Sequence, residues 1–111
     1  MTAFVLDRPA ILARLAGDEE LYAVMVDMFI QDLDANCDAL HGALQGGDGS
    51  TIVREVHSAK GLLATFSDDD GAAFALTVES RARAGELATL GPDIARICAR
   101  LREVAAVLQG R

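Results

Sequence analysis

Residues 50–66 read Ser50-Thr51-Ile52-Val53-Arg54-Glu55-Val56-His57-Ser58-Ala59-Lys60-Gly61-Leu62-Leu63-Ala64-Thr65-Phe66. Ile52, Val56, Ala59, Leu63 and Phe66 recur at three- and four-residue intervals, the period of an α-helix with one buried face. At ~100° per residue, His57 lies roughly 140° from the centre of that apolar stripe. The spacing therefore predicts an imidazole that stands out in water. Ser50, Val53, Arg54, Lys60, Gly61 and Ala64 share its face. An exposed imidazole, two cations and a clearing of small residues compose a phosphate site that a second protein can reach.

The same period extends outward from this helix. A short helix is predicted from about Asp7 to Leu15, capped by Asp7, with Pro9 in its first turn and Gly17 as its stop. It is expected to pack as a lid. A long helix follows from about Asp18 to Leu44, with an apolar stripe at Tyr22, Met25, Val26, Phe29, Leu33, Cys37, Leu40 and Leu44. Its other face carries Asp27, Gln31, Asp34 and Asp38. Gly46-Gly47-Asp48-Gly49 breaks it. After the His57 helix, Ser67-Asp68-Asp69-Asp70-Gly71 reads as a polar, solvated turn. A fourth helix is expected from about Ala72 to Ala84, with Phe74, Ala75, Val78 and Ala82 inward and Gly85 as its end. A fifth starts at Gly91-Pro92-Asp93 and runs to about Leu108, its stripe at Ile94, Ile97, Cys98, Leu101, Val104, Ala105 and Leu108. No segment reads as a strand. Short connections between amphipathic helices make antiparallel neighbours. The expected fold is all-α: an antiparallel up-down-up-down four-helix bundle with a short N-terminal capping helix, one domain over residues 1–111 with its core at about 18–108.

Composition agrees. A chain of 111 residues buries roughly 60–70% of its unfolded surface, enough for one core. Apolar residues make up 51% and aromatics 5%, mostly Ala and Leu, which suits closely packed helices. The net charge of −7 and pI near 4.6 argue against general nucleic-acid binding and against adhesion to anionic membranes. No secretory leader and no membrane-crossing apolar run is read in the sequence. Cys37 and Cys98 fall on apolar stripes and are expected as buried free thiols of a cytoplasmic protein.

Each functional signal has a plainer reading. A histidine on a helix is often a satisfied core residue or an idle surface one. The outward face opposes the first reading and the neighbours oppose the second. Lys60 lies one turn on and Arg54 one turn back, at roughly 5–6 Å between Cβ atoms. Cations beside an imidazole favour its neutral, nucleophilic form. They would also stabilise a phosphoryl group on the ring, Lys60 foremost and Arg54 in support. Gly61 costs roughly 1 kcal/mol against alanine in an exposed helix. It is otherwise a packing notch; on this face it keeps the approach to His57 open, and Ala64 extends the clearing. No His, Cys or carboxylate lies one turn from His57 to share a metal ion, and His41 is on another helix, so no metal site is expected. No phosphate-cradling glycine loop is present, so no nucleotide site is expected. Nor is there a hydrolase triad. Asp68-Asp69-Asp70 reads as a cap rather than a cation site.

His57, Lys60 and Gly61 match the His-x-x-Lys-Gly motif of the histidine-containing phosphotransfer (HPt) domain, and the chain resembles that family. The similarity extends through Phe29–Leu33, Leu40, Ala43-Leu44 and Gly47-Asp48 before the motif, and through Gly71-Ala72, Glu79, Arg83 and Gly85 after it. It covers about residues 18–108. Val56 and Ala59 stand where the family usually has alanine and leucine, core-side changes that alter packing and not chemistry. The connection carrying Asp68-Asp69-Asp70 is a few residues longer than the family's, and Ala82 is the expected small neighbour of the ring. The resemblance implies a four-helix bundle and a phosphorelay intermediate. His57 would accept a phosphoryl group from a receiver-domain aspartate and pass it to another. Magnesium would come with the receiver, and the domain itself would hold no cofactor. Partners would be response-regulator receiver domains or a hybrid sensor histidine kinase, met by a monomer through a small apolar patch at Val53, Gly61 and Ala64. The chain would then be a covalent carrier, not an enzyme. The competing expectation is a non-catalytic four-helix adaptor that binds a partner through the same face.

Overall fold

The computed structural model describes residues 1–110. Five helices follow in order: α1 (Arg8–Arg14), α2 (Glu19–Gly46), α3 (Gly49–Thr65), α4 (Asp69–Arg83) and α5 (Gly91–Gln109). Among the described residues there is no strand. Aspartate starts four of the helices. Asp7, Asp18, Asp48 and Asp68 each accept a hydrogen bond from a backbone N–H of the first turn, which satisfies an otherwise orphaned donor. α2 ends at Gly47, whose φ of +70° closes the turn in the left-handed region that a Cβ disfavours. Only Gly47 and Asp48 separate α2 from α3, and only Phe66 to Asp68 separate α3 from α4. Such short connections fold successive helices back on one another.

Helices α2 to α5 form the bundle. α3 packs most extensively on α4, α2 lies against both α3 and α5, and α5 closes the ring on α4. The molecule measures 42 × 22 × 22 Å, its long axis matching α2 at about 1.5 Å per residue. The predicted stripes meet at the centre: Tyr22, Val26, Phe29, Cys37 and Leu40 from α2, Ile52, Val56, Ala59 and Leu63 from α3, Ala75, Val78 and Ala82 from α4, and the α5 stripe from Ile94 to Leu108. Phe29 and Phe66 pack with their rings tilted by 46° and their centroids 5.0 Å apart. Cys37 and Cys98 are buried free thiols. Among the described residues no helix is long and apolar enough to cross a membrane.

Two local expectations are corrected, and a third is met and extended. First, α4 begins at Asp69, not near Ala72. Asp68 is buried rather than solvated: it accepts from Gly71 N at 3.0 Å and takes both Nε and Nη2 of Arg100 at 2.7 Å. A buried guanidinium on α5 needs this partner, and meeting it winds the chain into helix three residues early. Second, Phe74 is half-buried at the rim, with the Arg96 guanidinium 4.7 Å above its ring. Third, α1 does more than cover the bundle end. Ile11 enters the core, and Arg14 donates to the carbonyls of Ala64 and Thr65 at 3.3 and 2.6 Å, closing the C-terminus of α3 where a cation suits the dipole.

Candidate functional site

α3 buries Ile52, Val56, Ala59 and Leu63 between α2 and α4, so its outer crest carries Ser50, Arg54, His57, Gly61 and Ala64, all exposed. The His57 side chain is 63% exposed. The expected outward imidazole is there.

Beneath the ring lies a carboxylate. Glu79 projects from α4, beside the core positions Val78 and Ala82, and its side chain is only 5% exposed. It accepts from three sides. His57 Nδ1 lies 3.3 Å from Oε2 and 3.4 Å from Oε1. Lys60 Nζ is 2.7 Å from Oε1, and Arg83 Nη2 is 2.9 Å from Oε2. The Lys60 ammonium foremost, then Arg83 and His57, hold the Glu79 carboxyl at about 2 against the cost of its burial. An ionised carboxylate only accepts, so the ring nitrogen facing it is assigned as Nδ1–H. That tautomer leaves the lone pair on Nε2.

The remaining sequence-predicted residues fall into place around this pair. Lys60 is brought to the site, but onto Glu79 rather than onto the ring. Arg54 is 70% exposed and its Nε makes one long contact, 3.4 Å, to neighbouring Glu55. It lines a groove between α3 and α4 of ≈ 770 Å³, together with Ser50, Val53, His57, Ala82 and Arg83. Val53 is half-buried against the core. A Cβ added at Gly61 would meet nothing within 4 Å, and Ala64 is exposed beyond it. On the opposite flank of α3, α2 leaves Leu21, Val24 and Met28 about half exposed. Beside them is a second groove of ≈ 260 Å³ whose walls include Met25, Met28, Leu62 and Phe66.

Two features escaped the sequence reading. Ala82 does line the groove, but the group that reaches the ring is Glu79. Its signal was a carboxylate directly beside the apolar stripe of α4 with an arginine four residues on, since such a carboxylate requires partners. The apolar ridge of α2 was hidden because Leu21, Val24 and Met28 lie between the buried stripe and the acidic face.

This geometry has counterparts. The family model for the Hpt domain matches residues 24–109. No curated protein matches the sequence. Among solved structures, histidine-containing phosphotransfer protein B (HptB) from Pseudomonas aeruginosa PAO1 is similar at 27% identity and a TM-score of 0.84, over 98% of this chain and 95% of that one. The HPT domain of a sensor hybrid histidine kinase from Shewanella shares the fold at 18% identity and a TM-score of 0.78, over 95% of this chain and 91% of that one. With an exposed histidine carried on this bundle and the family model spanning most of its length, the chain belongs to the Hpt domain family, and its role is histidine phosphotransfer in a two-component phosphorelay.

Proposed function

We propose that His57 is the phosphoacceptor and that Nε2 is the atom phosphorylated. The observation that carries this is the bond from an exposed ring, through Nδ1, to a buried and ionised Glu79. Nε2 attacks the phosphorus of a receiver's phospho-aspartate in line. The new N–P bond forms as the P–O bond breaks, and the aspartate leaves as carboxylate. The imidazole gains positive charge as it attacks, and its Nδ1–H keeps its proton against the Glu79 carboxylate, which opposes that charge. In the return step the imidazole leaves and a second receiver aspartate takes the phosphoryl group. A histidine that is both nucleophile and leaving group suits a carrier of this kind.

Lys60 and Arg83 are paired to Glu79 in the unphosphorylated protein. We assign Lys60 the phosphoryl oxygens once the group is on the ring, with Arg54 in support, as charge-assisted contacts. Magnesium belongs to the receiver in this scheme, since Glu79, the carboxylate at the ring, is buried and committed to two cations. The chain is then a carrier without its own nucleotide site, working in the cytoplasm, where two buried free thiols suit a reducing environment. The partner docks over Gly61 and Ala64, with Val53 at one edge and the Leu21, Val24 and Met28 ridge at the other, in a small contact suited to release.

Incubation with a phosphorylated receiver domain tests the assignment. The wild-type chain acquires acid-labile, base-stable phosphate, and His57→Gln folds as well and acquires none. Phosphate on His57→Gln would move the site elsewhere. A wild-type chain that binds the receiver without taking phosphate would support the adaptor role instead.

A further inference from the structure

Charge is spread unevenly over this protein. The chain carries a net −7, yet among the described residues no carboxylate lines the groove between α3 and α4 beside His57. Its charged walls are Arg54 and Arg83, whose side chains are 70% and 62% exposed. Of the flanking acids, Glu55 and Glu86 make long 3.4 Å contacts to Arg54 and Arg81, and the other two are committed. Asp48 caps α3 by accepting from Ser50 N, Ser50 Oγ and Thr51 Oγ1, and Glu79 is shared by Lys60 and Arg83. The groove opens beside the ring itself and, at ≈ 770 Å³, matches clefts that hold ligands of roughly 300–1,000 Å³.

We propose that this groove receives an acidic segment of the receiver domain that exchanges phosphate with His57, and that Arg54 and Arg83 are its electrostatic contacts. This presupposes the carrier role of His57. A phospho-aspartate and its surroundings are anionic, and a chain of net −7 repels an anionic partner at long range. Within a Debye length, about 8 Å at physiological ionic strength, the local cations take over. The two flanks of α3 then differ in kind: apolar at Leu21, Val24 and Met28, cationic at Arg54 and Arg83. A partner with one apolar and one acidic edge fits in a single orientation, and complementarity of that sort sets register and encounter rate more than bond chemistry.

Arg83 also holds Glu79, so the test uses its neighbours. Ser50 lies in the first turn of α3, where an added anion suits the helix dipole; Ser50→Glu therefore folds while placing a charge in the groove. The probe is the phosphorylated receiver domain that labels the wild-type chain fastest out of a panel. Ser50→Glu raises KM at least about fivefold and moves kcat less than about twofold; Arg54→Glu raises KM by at least as much and also lowers kcat through its loss of support for the phosphoryl group; and Arg54→Lys keeps KM within about twofold of wild type, as expected of electrostatic docking. Wild-type KM rises with added salt, and Arg54→Glu flattens that rise. An unchanged KM in both charge variants, or a loss confined to kcat, overturns the groove assignment and leaves the carrier role standing. A wild-type chain that no phosphorylated receiver labels overturns the carrier role itself.

Discussion

Nδ1 of His57, on the exposed crest of α3, lies 3.3 Å from Oε2 of Glu79, which α4 holds at 5% exposure. One member of the pair faces solvent; the other is fixed by Lys60 and Arg83. The exposed imidazole thus takes its orientation from a charge that solvent barely reaches.

Replacing that charge separates orientation from shape. Glu79→Gln keeps the size and loses the anion, so phosphotransfer to the chain falls roughly 10- to 100-fold, the range for a lost positioning contact. Ring ¹⁵N shifts check the cause, moving from one dominant tautomer towards a mixture. Acid stability changes as well. The Glu79 carboxyl is held at about 2 against an ordinary 4.5. Its contribution is therefore fully present above about pH 4.5 and is lost as pH falls towards 2, amounting to about 3 kcal/mol. Urea melts across this window flatten in Glu79→Gln.

Gly61 is not required by its own helix. Nothing lies within 4 Å of an added Cβ, and its φ is not in the left-handed region. Gly61→Ala should then stabilise the protein by about 0.5–1 kcal/mol, read as a rise in Tm. Gly61→Gln should keep the fold and slow transfer from a phosphorylated receiver about tenfold or more, because the side chain occupies the partner's approach. Unchanged transfer in Gly61→Gln would remove the clearing from the mechanism.

Gly71 presents the opposite case. A Cβ there would overlap Asp68 Oδ2 and fall 3.2 Å from Arg100 Cγ. Gly71→Ala must displace the buried Asp68–Arg100 pair, which is expected to cost about 2–4 kcal/mol. Thermal unfolding should show it as a fall in Tm of roughly 10 °C or more.

The thiols should be silent in the native state. Burial, with Cys37 alongside, pushes the Cys98 thiol up to about 12, and the thiolate is the reactive form. Both cysteines should react with a thiol reagent at about pH 8 at least about a hundredfold slower than free cysteine and become reactive on unfolding in urea. Fast labelling of the native protein would mean that the seam between α2 and α5 opens.

Much of this protein is decided locally, and the residue pattern shows it. Helix period places Ile52, Val56, Ala59 and Leu63 inward and His57 outward, because the direction of a side chain on a helix depends on spacing alone. Four aspartate caps and the short glycine-bearing connection at Gly47 set where helices begin and turn back, for the same local reason. What α3 meets across the bundle depends on chain segments far apart in sequence. The register of α4 against α3 brings Glu79 under a ring 22 residues away and turns Lys60 onto that carboxylate. The need of a buried Arg100 for a counter-charge draws Asp68 inward across 32 residues. Period tells which way each side chain points; only packing, through burial and charge pairing, decides what it touches.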